Sequence, residues 1–109
     1  QRIKINVGTG AGESWNDGGI LDPVAAGWVH VAITISQSKN TIYFNGEEIR
    51  SADMTGFSWA GCETLVIGSG APTFTYWDHK SDLSLIDELR MFDKALSAAE
   101  VKTIFDAEK

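Results

Sequence analysis

The dipeptide Asn45-Gly46 constrains the fold more than any other feature of the chain. Both residues tolerate the positive φ that a type I′ turn requires, so they predict a tight hairpin. Thr41–Phe44 leads into the turn and Glu47–Arg50 returns antiparallel to it. Upstream, residues 28–36 alternate. Val29, Val31, Ile33 and Ile35 point one way, and Trp28, His30, Ala32, Thr34 and Ser36 the other. Two mixed faces place this strand inside a sandwich or against a neighbouring sheet. Residues 2–7 alternate as well, directing Ile3, Ile5 and Val7 toward a core.

The remaining segments follow from turn chemistry and periodicity. Residues 8–27, with Gly8, Gly10, Gly12, Gly18, Gly19, Pro23 and Gly27, read as a loop. Residues 51–61 form an irregular connection carrying Met54, Phe57 and Trp59. Glu63–Gly68 reads as a further strand, Ser69 to Asp82 as a loop, and Leu83–Phe92 as a long strand with apolar residues on both faces. A single helix is expected, at the end of the chain. Ser97 and Glu100 make a capping box, and Leu96 with Val101 a hydrophobic staple. Val101, Ile104 and Phe105 fall on one face, which should fold back on the edge of the sheet.

A length of 109 residues fits one domain, and 43% hydrophobic residues suffice for a small core. Apolar runs are broken every few residues, which excludes a membrane-spanning helix. The net charge of −6, without any Lys/Arg cluster, argues against a nucleic-acid partner. Cys62 is the sole cysteine, which rules out an internal disulfide and a cysteine-based zinc site. Beside Gly61 it reads as a small buried residue rather than a nucleophile.

Four segments in order resemble the laminin-G-like branch of the concanavalin A-like lectin/glucanase superfamily. They are Gly27-Trp28-Val29-His30-Val31-Ala32, Thr41-Ile42-Tyr43-Phe44-Asn45-Gly46, Leu65-Val66-Ile67-Gly68, and Ile86-Asp87-Glu88-Leu89-Arg90-Met91-Phe92 followed by Lys94-Ala95-Leu96-Ser97 and Glu100-Val101. The resemblance implies an all-β, antiparallel jelly-roll β-sandwich with a short C-terminal helix. Domains of this kind carry further strands ahead of the segment that begins here. Residues 1–109 are therefore read as one domain lacking its N-terminal strands, completed by upstream sequence or by a second copy in a homodimer. The resemblance also implies a non-catalytic module of an extracellular, cell-surface or particle-surface protein. Its partner would be a glycan or another protein, sometimes engaged through Ca2+.

Three places are candidates for that chemistry. In Glu13–Gly19, Trp15 offers a stacking surface for a sugar ring and Asp17 a hard oxygen for calcium. The same residues are ordinary turn chemistry. Tyr76, Trp77, Asp78 and His79 combine aromatic surface with hydrogen-bonding groups, while Trp77 reads equally well as a core plug. Asp87 shares a strand face with Leu85, Leu89 and Met91, which predicts a buried carboxylate held by backbone N–H groups, an Arg or calcium. Trp28 and His30 are read as packing residues.

Catalysis finds little support. Related glucanases carry two acids on alternate positions of one strand, whereas Asp87 and Glu88 are adjacent and face opposite ways. Neither His30 nor His79 completes a nucleophilic triad.

Overall fold

The Asn45-Gly46 turn forms as its chemistry dictates, with φ of 49° and 78° at the two residues. It joins two strands of a three-stranded antiparallel sheet. In a computed structural model, which describes residues 2–8, 13–20, 27–68 and 85–109, the strands are β1 (Arg2–Gly8), β2 (Glu13–Ile20), β3 (Val31–Ile35), β4 (Lys39–Phe44) and β5 (Glu47–Asp53). A closing helix, α1, spans Ala98–Glu108. β1 and β2 make one antiparallel sheet, and β3-β4-β5 make the other in that order. The chain divides into two compact units, one of residues 1–58 with 92–109 and one of residues 59–91.

In the first unit the core lies between the sheets. Ile5 and Val7 from β1 meet Ile42 of β4, Met54 and Phe57, with Ile3, Ile35 and Phe44 packed around them. The inward alternation of Ile3, Ile5 and Val7 is therefore realised. So is the expectation for α1. Ser97 Oγ accepts from Glu100 N–H, and Glu100 Oε2 accepts from Ser97 N–H at 2.8 Å, a complete capping box. The helix buries Val101 completely. Phe105 reaches the hairpin turn, where a Cβ on Gly46 would lie 3.0 Å from its ring and 2.8 Å from Lys102 Cδ. Gly46 therefore serves both the turn and the seat of the helix.

The strand β2 departs from expectation, since residues 13–20 pair along β1 rather than forming a loop. Its inward residues are Ser14, Asn16 and Gly18, so no hydrophobic period advertises it. What holds it is polar. Asn16 is fully buried, and its Nδ2 donates to Asn40 Oδ1 at 2.9 Å, to Arg50 O at 3.2 Å and to Asn40 O at 3.4 Å. Asn40, equally buried, donates in turn to Met54 Sδ. Ser14 Oγ donates to Asp53 O at 3.3 Å. Gly18 is required by contact: a Cβ there would run into Ile42 Cδ1 and sit 3.0 Å from Ile3 O. The register shift between Arg2 and Lys4 accommodates this stretch.

Other expectations are corrected. The strand expected over 28–36 begins at Val31. Trp28 is 67% exposed, whereas His30 packs as expected, 5.8 Å from the Phe105 ring. Neither 63–68 nor 85–92 forms a strand, because no segment among the described residues pairs with them. Gly68 and Glu88 both adopt positive φ, which interrupts an extended chain. Cys62 is exposed, not buried.

Candidate functional site

The β1–β2 hairpin has two faces because strand side chains alternate. With Ile5, Val7, Ser14 and Asn16 turned inward, Lys4, Asn6, Trp15 and Asp17 are left on the outer face. The register sets Asn6 opposite Trp15 and Lys4 opposite Asp17. Trp15 is 51% exposed, which makes its indole a half-open platform flanked by an amide, an ammonium and a carboxylate. Lys4 Nζ lies 3.9 Å from Asp17 Oδ1 with both side chains well exposed, a pair that adds little stability. In the register this pair lies next to the Asn6–Trp15 pair, two positions along each strand. An apolar face with hydrogen-bonding groups at its rim is the arrangement that engages a sugar ring.

Sequence reading found Trp15 and Asp17 but missed Lys4 and Asn6 as their neighbours. Their outward direction was legible from the alternation of residues 2–7. Their partner was not, because residues 13–20 carry no strand signal.

Asp87, expected on a buried face, is exposed, and its Oδ1 accepts the Glu88 N–H at 2.8 Å. Leu85 and Met91, which were to share that face, are 81% and 71% exposed. The positive φ at Glu88 breaks the parity on which the inference rested. Tyr76, Trp77, Asp78 and His79 lie outside the described residues. Asp17 and Asp87 belong to different units. Among the described residues, no three His, Cys, Asp or Glu side chains gather as metal ligands. Asp17 has an ammonium beside it and Asp87 a backbone donor.

Two antiparallel sheets, an apolar interior between them and a capped closing helix define a β-sandwich domain. The chain belongs to the concanavalin A-like lectin/glucanases superfamily, which its sequence matches over residues 1–102. It is also similar to the 2.1 Å crystal structure of an S-layer domain-containing protein (residues 221–444) from Clostridium thermocellum ATCC 27405. The two share 30% sequence identity at a TM-score of 0.66, over 87% of this chain and 46% of that one. The chain thus spans about half of that structure. No functionally curated protein matches it. Among the described residues, no helix is long and apolar enough to cross a membrane.

Proposed function

We propose that the chain is a non-catalytic glycan-binding module of an extracellular or cell-surface protein. The observation that supports this reading is Trp15, a large aromatic left half-exposed on a regular strand beside Asn6, Lys4 and Asp17. Solvent-facing indoles cost hydrophobic free energy unless a ligand covers them, and a sugar ring matches both the apolar face and the polar rim. The similarity to an S-layer domain-containing protein supports the surface location. The reading as non-catalytic rests on Asp87 and Glu88, which do not form the alternate-position acid pair of a glucanase strand.

A glycan array probed with the folded chain, with calcium and again with chelator, tests the proposal. Binding of a defined sugar is expected, reduced at least about tenfold by Trp15→Ala with the fold retained. Unchanged affinity in that variant removes the platform from the site. Silence on the array in both conditions overturns glycan binding. Release of reducing sugar from a polysaccharide overturns the non-catalytic reading.

A second reading, a structural or protein-interaction domain, draws on a different observation. Trp28, Val31 and Ile33 leave an exposed apolar strip at β3, the outer strand of its sheet among the described residues.

A further inference from the structure

The face of the β3-β4-β5 sheet that turns away from the core carries a row of hydroxyls. Thr34, Thr41 and Ser51 stand opposite one another across the three strands. In the neighbouring row Tyr43 stands between Ala32 and Glu48. Thr34, Thr41, Tyr43, Glu48 and Ser51, together with Leu96 just ahead of α1 and Ala98 at its start, line a cleft of about 280 Å³. Its floor is firm, since Thr41 and Tyr43 are both buried.

The hydrogen bonds of this row have a direction. Ser51 Oγ donates to Glu48 Oε1 at 2.6 Å, which uses the only hydrogen of that hydroxyl. The 3.1 Å contact between Thr41 Oγ1 and Ser51 Oγ must then have Thr41 as its donor. A third hydroxyl, Ser36, is spent in the same way, donating to Lys39 O at 3.0 Å. Ser36 Oγ also accepts from the Ser38 and Lys39 N–H groups, which fills it, so the acceptors left to the cleft are Thr41 Oγ1 and the remaining lone pairs of the Glu48 carboxylate. The cleft therefore asks for a ligand rich in donors. An ammonium would meet Lys39 at the same cleft, and an anion would meet Glu48 and the overall negative charge. A neutral polyol meets neither obstacle. Its ring face fits against Leu96 and Ala98, and its O–H groups against Thr41, Glu48 and the Tyr43 phenol.

We propose that this cleft is a second glycan subsite, taking one neutral pyranose unit, on the side of the sheet opposite the core. The proposal rests on the glycan-binding reading but not on Trp15. The test is amide chemical-shift mapping of the whole chain, titrated with the methyl glycosides of glucose, galactose, mannose and N-acetylglucosamine. At least one should shift Thr34, Thr41, Tyr43 and Ser51 in a saturable manner, with Kd on the order of millimolar. Those shifts should persist in Trp15→Ala, and Tyr43→Phe and Glu48→Gln should each weaken them about tenfold or less, the value of one or two hydrogen bonds. Glu48 is exposed, so its conservative variant tests binding without disturbing the core.

Shifts confined to Lys4, Asn6, Trp15 and Asp17 would overturn the cleft and leave the platform standing. Shifts at the cleft that follow protein concentration instead of sugar would mark it as a contact between copies, and overturn the proposal. No shift with any of the four glycosides, beside a positive glycan array, would do the same. No shift together with a silent array would remove both sites.

Discussion

The strand β2 and the helix α1 both pack on the β3-β4-β5 sheet, and they are held by opposite kinds of chemistry. α1 carries its own instructions: a capping box at its start, Val101 on its buried face and Phe105 at the hairpin turn. Its local signals and its tertiary seat agree. β2 has almost no local signal. Two of its eight residues are glycines, and its inward face is a serine, an asparagine and a glycine. It is placed by one buried amide and by a position where no side chain fits. An element specified by its own sequence should tolerate changes in its surroundings. One specified by its seat should fail as soon as that seat is altered.

The largest expected effect follows from that difference. Gly18→Ala sets a methyl against Ile42 and the Ile3 carbonyl, and backbone cannot retreat as a side chain does. We expect a loss of about 3 kcal/mol in chemical denaturation, at the upper end for overpacked sites. Hydrogen-exchange protection should vanish in β1 and β2 first and persist in α1. A variant that keeps β2 protected would show that the strand does not depend on this close approach.

Asn16→Ala comes next. It leaves Asn40 Oδ1 without its 2.9 Å donor in a fully buried site, a loss of about 2 kcal/mol. Denaturant midpoints of this variant and of Asn16→Ala/Asn40→Ala measure it. The double variant should recover part of the loss, because it removes both partners. A further full loss in the double variant would show that the two amides act independently.

The smallest effect belongs to α1, and it is the one that pH can reach. Lys94 Nζ donates to Glu100 Oε1, and Ser97 donates to the same carboxylate through its N–H and hydroxyl; together they lower the Glu100 pKa from an ordinary 4.5 to about 2. A carboxyl depressed on folding stabilises the folded state above its unfolded value and loses that contribution as pH falls toward the folded one. Asp106, lowered by hydrogen bonds from Lys102 and Lys109, acts in the same direction. Helical signal should therefore weaken between about pH 4.5 and 2 while the Asn16–Asn40 contact, with nothing to titrate, persists. Glu100→Gln should flatten the Glu100 part of that dependence. Equal acid sensitivity in β2 and α1 would erase the contrast.

The same contrast explains how much could be read in advance. The Asn45-Gly46 turn, β4 from Thr41 onward, the inward side of β1 and the whole of α1 follow from periods and caps, which are properties of neighbouring residues. β2 reads as a loop because its burial is polar and Gly18 answers to Ile42, which lies 24 positions away. Half of the proposed site is hidden with it: Trp15 and Asp17 stand out as residue types, but Lys4 and Asn6 become their companions only through the register. The reading of Asp87 failed for a local reason. Parity counts only along an unbroken strand, and Glu88 breaks it.

On β2, Trp15 and Asn16 are consecutive, one facing out and the other fully enclosed. Holding and presenting are thus divided between alternate positions of one strand. Residues 5, 7, 14, 16 and 18 lie on the core side of the hairpin, and 4, 6, 15 and 17 on its outer side. Under the proposed glycan reading, a change of ligand would fall on the outer four positions, one residue away from those that line the core.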